Sequence, residues 1–79
     1  MERLGSSNKT VGVKQTKRAI RDGTAALVFI SGDAEERVTQ PVRALCAESG
    51  VPVKEAESMA ALGSACGIDI GAAVAALLR

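Results

Sequence analysis

One short stretch of the sequence combines a glycine, a predicted helix start and a cluster of hydrogen-bond donors. Gly12 separates a short extended run from an amphipathic segment, so the first helical N–H groups after it are free to face an anion. Lys14, Gln15 and Arg18 are spaced so that all three lie on one side of a helix. Lysine and arginine neutralise phosphates and donate to guanine O6 and N7, while glutamine reads base edges. The stretch therefore suits nucleic acid, although a solvated basic helix face has the same pattern.

Charge is distributed unevenly along the 79 residues, although the formal net charge is only +1. Residues 1–22 carry six basic and two acidic side chains, whereas the remainder carries four basic and seven acidic ones. Positive potential is therefore concentrated at the end of the chain that holds the donors. This asymmetry favours a polyanionic partner, and it also serves solubility. We expect Lys9 and Lys17 in this basic end to contact phosphates or solvent and not bases.

Several chemistries are excluded because the chain lacks the residues that they need. There is no histidine, and the two cysteines, Cys46 and Cys66, are not in a Cys-x-x-Cys spacing, so a zinc site lacks ligands and an imidazole base is absent. Both cysteines lie among small and apolar residues, which favours core positions over a redox pair. The sequence also contains no Gly-x-Gly-x-x-Gly and no Walker-type phosphate loop. We therefore expect no enzyme, no metal and no cofactor.

The composition and the N-terminal sequence limit the classes of protein to which the chain can belong. Hydrophobic residues make up 47% of the chain, which is too many for a disordered one, and the length suits one domain. The N-terminus lacks the apolar core of a signal peptide, and no run of about eighteen apolar residues exists. We expect a cytoplasmic protein without a membrane partner, in which residues 1–8 are a short polar lead and residues 9–79 form a single domain.

Hydrophobic patterning predicts alternating strands and helices after this lead. The predicted elements, in chain order, are a strand over 9–11, a helix over 13–22, a buried central strand over 25–31, a second helix, a strand within 51–55, a third helix over 59–65 and an apolar segment over 72–78. The first helix has an inner stripe of Val13, Thr16 and Ile20. The second helix has an apolar stripe of Val38, Val42, Leu45, Cys46 and Ser49. Gly23 is expected to end the first helix and Gly50 the second. Pro41 either starts the second helix or kinks it. The third helix is expected to have its N-cap at Ser58 and to turn Met59 and Leu62 inward. The last segment has helix propensity but also fits a central strand. The order indicates an α/β sandwich with helices on both faces of a small sheet.

Glycines recur every four residues in the last third of the chain. They are Gly63, Gly67 and Gly71. This spacing also occurs where membrane helices pack, but Asp69 and the short apolar length argue against that use. We predict instead a glycine-rich loop over 66–71 that presents Ile68, Asp69 and Ile70 on a tightly curved backbone. Ordinary core packing explains the two isoleucines equally well, but it does not explain the acid between them.

Two motifs lie at the two ends of the predicted domain. They are Gly12-Val13-Lys14-Gln15-Thr16-Lys17-Arg18-Ala19, followed by Gly23, and Glu57-Ser58-Met59, Leu62-Gly63 and Ala65-Cys66-Gly67-Ile68-Asp69-Ile70-Gly71-Ala72-Ala73. In this order and spacing they resemble bacterial relatives of the archaeal ribosomal protein L7Ae, which bind kink-turn RNA. The similarity covers about residues 9–78. It departs at 33–36, which reads Asp-Ala-Glu-Glu where many relatives have Asp-Ala-Asp-Pro, and in a shorter N-terminal segment.

The resemblance implies a three-layer α/β/α sandwich with a small mixed sheet and binding to an RNA duplex bent at a bulge flanked by sheared G·A pairs. Carried over by motif position, the residues that meet the G·A pairs are Gly12, Lys14, Gln15 and Arg18, and those that hold a flipped-out nucleotide are Gly67, Ile68, Asp69 and Ile70. The chemistry agrees, because a sheared G·A pair exposes guanine O6 and N7 to Lys14 or Arg18. An extruded base needs an apolar wall and a hydrogen-bond acceptor.

The expected function is therefore a non-enzymatic, monomeric RNA-binding protein that stabilises kink-turn RNA, with no DNA partner. One alternative is a ribosome-associated structural protein that binds ribosomal RNA only within the assembled subunit. A second alternative, a small enzyme or ligand-binding α/β domain, is disfavoured by the missing histidine, acid–base pair and phosphate loop.

Overall fold

The computed structural model describes residues 8–79, so the predicted polar lead lies almost entirely outside the described residues. Within this range the elements, in chain order, are β1 (Lys9–Val11), α1 (Val13–Arg21), β2 (Ala25–Ser31), α2 (Glu36–Ser49), β3 (Val53–Ala56), α3 (Met59–Ala65) and β4 (Val74–Leu78). This confirms the predicted alternation of strands and helices. It also shows that the last apolar segment is a strand.

The four-stranded sheet is mixed and has the strand order β1-β4-β2-β3. β4 is antiparallel to both β1 and β2, while β2 and β3 run parallel. Helices α1 and α2 pack on one face of the sheet and α3 packs on the other. The predicted three-layer α/β/α sandwich is therefore confirmed. Because β4 is central and covered on both faces, its sequence needs no polar side.

Two apolar clusters lie on opposite faces of the sheet. Val28 and Ile30 of β2 belong to the cluster under α1 and α2, and Phe29 between them belongs to the cluster under α3. Cys46 lies in the first cluster and Cys66 in the second, and both thiols are free. Burial raises the pKa of both thiols, which keeps them protonated near neutral pH. The cysteines are therefore core residues, as predicted, and the sheet separates them.

Helix α2 runs through Pro41, so the helix does not begin there. Val42 and Cys46 of the predicted stripe are buried, but Ser49 is exposed, and the prediction for this residue is wrong because it stands at the C-terminal end of the helix. Gly50 ends the helix in a left-handed conformation with φ 70°, as predicted. No helix in the part of the chain that the structure describes is long and apolar enough to cross a membrane.

A bidentate ion pair joins α2 to the edge strand β3. Arg43 Nη1 donates to Glu55 Oε2 at 2.6 Å and Nη2 donates to Oε1 at 2.9 Å. These hydrogen bonds hold the pKa of the Glu55 carboxyl below its usual range and raise the pKa of Arg43. Because both side chains are partly exposed, solvent screens the pair.

Replacing Glu55 by glutamine should therefore destabilise the protein only above acidic pH. A carboxyl whose pKa is lower in the folded state stabilises the fold above its unfolded-state pKa of about 4.3, and this contribution is lost as the pH falls through the folded-state value. Glu55→Gln is expected to lower the free energy of unfolding by about 0.5 kcal/mol at pH 7 and to have no effect at about pH 2. Urea unfolding at both pH values measures it, with Glu48→Gln on α2 as the matched control. If Glu55→Gln lowers the free energy of unfolding equally at the two pH values, the ion pair is not the cause.

Candidate nucleic-acid interface

The two predicted binding segments meet at one end of the sheet. Because β1 and β4 are antiparallel, the end of β1 lies beside the start of β4. The backbone N–H of Gly12 donates to the Val74 carbonyl at 2.9 Å, and β4 begins at Val74 directly after the loop that follows α3. The α1 start (residues 12–18) and the α3–β4 loop (residues 66–73) are therefore neighbours, although they are far apart in the sequence.

Gly12 makes the turn from β1 into α1 with φ 103° and ψ 157°, a combination that is essentially restricted to glycine. The first helical hydrogen bond is the one from the Thr16 N–H to the Gly12 carbonyl, at 3.0 Å. The N–H groups of Val13, Lys14 and Gln15 precede it, and within residues 8–79 no side chain caps this helix end. The start of α1 therefore has the free N–H groups that an anion needs.

Substituting Gly12 with alanine should cost backbone strain and not a steric clash. An added Cβ has nothing within 4 Å, so the cost comes from the positive φ and is expected to be about 1–3 kcal/mol of unfolding free energy. Urea unfolding measures it. Gly32→Ala is the control, because its φ is not positive and its Cβ would approach nothing more closely than 3.4 Å, at the Ala56 carbonyl oxygen. Equal losses in the two variants would contradict the strain argument.

The outer face of α1 carries the donors that the helix phase predicts. Lys14, Gln15 and Arg18 are all exposed, whereas Thr16 and Ile20 on the opposite side are buried. The structure therefore brings the three predicted donors together on one solvent-facing surface. They lie beside the free N–H groups of the first helical turn.

The charges around this face differ in their surroundings. Arg18 Nε lies 3.8 Å from Asp22 Oδ2 in an exposed ion pair, which is too weak to compete strongly with a ligand. Lys17 is half-buried. Lys9 is also half-buried, and its positive charge lowers the pKa of the Cys66 thiol, against the larger effect of burial. The charge of Lys9 therefore affects a residue on the α3 side of the sheet.

Buried hydrogen bonds anchor the α3–β4 loop. Ser31 is 2% exposed, and its hydroxyl donates to the Ala72 carbonyl at 2.6 Å. The Ser31 N–H donates to the Ala73 carbonyl, and the Ala72 N–H donates to the Met59 carbonyl. Sequence reasoning missed Ser31, although a serine at the end of an otherwise apolar strand is a signal that could have found it. The end of β2 therefore holds the loop in place.

The three glycines with a spacing of four each have a separate structural role. A Cβ on Gly63 would overlap the carbonyl oxygen of Ile70, and a Cβ on Gly71 would lie 3.1 Å from the Cβ of Met59. Gly67 has φ 79°, which favours glycine after the end of α3. The repeat therefore packs a loop closely against a helix, and the predicted glycine-rich loop is confirmed.

The two isoleucines of the loop differ in environment. Ile68 is half-buried and packs against the cluster under α3, so its side chain serves the core in part. Ile70 is 74% exposed, so core packing does not explain it. Asp69 is exposed between them. The loop therefore presents an aliphatic side chain and a carboxylate to solvent.

Met59 extends this apolar surface, and the prediction that it turns inward is wrong. It is 37% exposed, whereas Leu62, one turn later, is fully buried as predicted. The reason is that Met59 is the first residue of α3 and lies outside the apolar cluster that buries Leu62. Ser58 caps α3 as predicted, and Asp33 Oδ1 also accepts from the Met59 N–H at 2.8 Å. Asp33 therefore supports the start of α3, and it is not one of the two positions, 35 and 36, at which this segment departs from Asp-Ala-Asp-Pro.

The surface formed by the α1 start and the α3–β4 loop contains donors, exposed aliphatic groups and one carboxylate. The part of the chain that the structure describes holds no group of three or more metal-ligating side chains. This chemistry fits recognition of an anionic, base-bearing polymer.

Comparisons with known proteins give consistent findings. Residues 4–79 match the family described as "Ribosomal protein L7Ae/L30e/S12e/Gadd45 family". The chain is 45% identical over 76 residues to "RNA-binding protein GK0100" of Geobacillus kaustophilus, with 96% of this chain and 93% of that protein covered. It is 35% identical over 68 residues to "Large ribosomal subunit protein eL8" of Halobacterium salinarum, with 85% of this chain and 57% of that protein covered.

A solved structure has the same fold. The "Giardia lamblia 15.5kD RNA binding protein" superimposes with a TM-score of 0.88 at 26% sequence identity. The match covers 96% of this chain and 64% of that chain, so the present chain spans less than two thirds of that structure.

Proposed function

This chain belongs to the ribosomal protein L7Ae/L30e/S12e/Gadd45 family, and we propose that it binds RNA and stabilises the bent form of a kink-turn. The observation that carries the proposal is the meeting of the α1 start and the α3–β4 loop at one end of the sheet. The printed name of its Geobacillus relative supports RNA as the class of partner.

The α1 start is proposed to contact the sheared G·A pairs. In such a pair guanine O6 and N7 are exposed, and Lys14 and Arg18 carry the donors that match them. Gln15 both donates and accepts, so it reads a base edge beside them. The close turn at Gly12 lets the RNA backbone approach the free N–H groups, and Lys9 and Lys17 are proposed as phosphate contacts.

The α3–β4 loop is proposed to hold the flipped-out nucleotide. Ile70 and Met59 supply an apolar surface for the face of the base, and Asp69 supplies an acceptor for its edge. Gly67 shapes the loop, and Ile68 fixes it to the core. Such a pocket needs no aromatic side chain, which fits a chain whose single phenylalanine, Phe29, is buried.

The proposed mechanism is a population shift. The protein binds the kinked RNA and not the extended one, so the equilibrium moves by the difference between the two affinities. We also propose that the protein acts as a monomer. Of the exposed large hydrophobic side chains among the described residues, Val53, Met59 and Ile70, the last two belong to the proposed RNA surface.

Energy transfer across an end-labelled kink-turn duplex tests the proposal. The purified protein is titrated into this RNA and into a control duplex whose G·A pairs are changed to Watson–Crick pairs. Bending of the first RNA alone is the expected result. Equal, weak binding to both RNAs, with a steep dependence on salt, would overturn the kink-turn assignment. It would favour a ribosome-associated protein that binds only in the assembled subunit, a role that the name of the eL8 relative suggests.

A further inference from the structure

A shallow groove adjoins the proposed RNA surface and shares Gln15 and Arg18 with it. It lies beside α1, between that helix and the ends of β1 and β4, and has a volume of about 190 Å³. We call it the α1–β1 groove. Gln15, Arg18, Asp22 and Thr24 give it polar edges, and Ala19 and Leu78 give it apolar lining. Pockets for drug-sized ligands are larger, at about 300–1,000 Å³, so this groove suits a group such as a single nucleobase.

The polar edge of the groove places a strong donor beside a strong acceptor. Arg18 Nε and Asp22 Oδ2 are 3.8 Å apart, which is longer than a hydrogen bond, so both groups keep their bonding capacity for a ligand. Thr24 donates its hydroxyl proton to the Ala19 carbonyl at 3.2 Å, which leaves the lone pairs of its oxygen free to accept. The arrangement therefore offers one cationic donor and two acceptors around an apolar floor.

This pattern distinguishes among ligands. A carboxylate at the rim disfavours phosphate, although Arg18 alone would attract it. Guanine carries two adjacent donors, the N1–H and the 2-amino group, next to the acceptor O6, so it matches Asp22 and Arg18 in order. Adenine presents the N1 lone pair where guanine has its N1–H, and the carboxylate repels it. Of the two purine bases, guanine is therefore the one that fits.

We propose that the α1–β1 groove binds an unpaired guanine base of the RNA partner. Asp22 accepts from the N1–H and the 2-amino group, Arg18 donates to O6, and Ala19 and Leu78 contact the ring. That the base belongs to the RNA partner rests on the proposed function, because Gln15 and Arg18 belong both to the groove and to the proposed RNA surface. Asp22 belongs to the groove alone, and this makes the two assignments separable.

The base preference is tested by nuclear magnetic resonance titrations of the protein with guanosine monophosphate, adenosine monophosphate and inorganic phosphate. Guanosine monophosphate is expected to shift the amide signals of Ala19, Thr24 and Leu78. Adenosine monophosphate and inorganic phosphate are expected to leave these signals unchanged. Asp22→Asn should weaken guanosine monophosphate binding by about tenfold, because it removes a bidentate contact. Glu48→Gln, the matched loss of one acid on α2, should leave it unchanged. Equal shifts with adenosine monophosphate or phosphate, or no shift at all, would overturn the proposal.

A second experiment tests whether the base belongs to the RNA. It uses kink-turn duplexes with a single-stranded tail of three guanosines or three adenosines, and the tail is placed at one stem end in one set of duplexes and at the other end in a second set. The guanosine tail should bind more tightly at one of the ends, and Asp22→Asn should abolish this preference while kink-turn bending persists. Binding of guanosine monophosphate without any tail preference would contradict an RNA-borne guanine. Failure of bending while guanosine monophosphate still binds would overturn the proposed function and leave the base preference of the groove standing.

Discussion

A variant in which Lys14 and Arg18 are both replaced by alanine is expected to bind kink-turn RNA at least about thirtyfold more weakly than the unmodified protein. Each base contact of this kind is worth about 1–3 kcal/mol, and the two side chains lie one turn apart on the same exposed helix face. The fold should not change, because Lys14 is exposed and Arg18 makes only a weak pair with Asp22. Titration of the end-labelled kink-turn, with bending as the readout, measures the affinity.

The matched control is a double variant, Arg37→Ala with Lys54→Ala, which removes the same charge from exposed positions away from the α1 start. It should bind nearly as well as the unmodified protein at physiological salt. The salt dependence then separates base contacts from phosphate contacts. If the Lys14 and Arg18 variant loses affinity equally for the kink-turn and for the Watson–Crick control duplex, the two residues contact phosphates only and the base-reading assignment is wrong.

The elements predicted correctly from the sequence are those whose limits are set locally. Gly23 and Gly50 terminate α1 and α2 because the left-handed conformation after a helix favours glycine, and this requires no knowledge of the rest of the fold. The one-sided pattern of α1 predicts which residues are buried because one face of this helix packs against the sheet and α2. Both features are visible in a window of about ten residues.

The features that escaped prediction depend on contacts between segments far apart in the chain. Met59 has an apolar side chain at a helical position, but its exposure depends on which distant segments form the cluster under α3, and Met59 lies outside that cluster. Ser31 and Asp33 gain their partners only after the sheet brings the end of β2 next to the α3–β4 loop and to α3. No local pattern contains this information.

The candidate site also has one part that could be predicted from local sequence and one part that could not. The donor face of α1 followed from helix phase, because side-chain direction is fixed by the spacing along one helix. The loop residues came from a resemblance, and the residues alone left the two isoleucines ambiguous between core and surface. The structure resolves the ambiguity differently for each, because Ile68 reaches the cluster under α3 and Ile70 does not. The α1–β1 groove depends on the gap between a helix and a sheet edge, which no sequence pattern describes.

Substituting Gly63 with alanine is expected to displace the α3–β4 loop and to remove most RNA binding. Helix propensity alone predicts the opposite effect on stability, because alanine favours a helix over glycine by about 1 kcal/mol. The added Cβ, however, would overlap the backbone carbonyl oxygen of Ile70, and a backbone atom cannot rotate away as a side chain can. The Ser31 hydroxyl also holds the loop at Ala72, so a displacement that reaches Ala72 breaks a buried hydrogen bond.

We expect Gly63→Ala to lower the free energy of unfolding by about 1–3 kcal/mol in urea titrations, and to lose kink-turn bending under conditions where circular dichroism shows a folded protein. Ser64→Ala, at the next and exposed position of α3, is the control and should be neutral or slightly stabilising. Ile70→Ala separates the two effects, because this exposed side chain can be removed without disturbing the core. It should weaken RNA binding with no loss of stability. A Gly63→Ala protein that is more stable and bends RNA normally would show that the close approach of Ile70 to α3 does not position the loop for RNA.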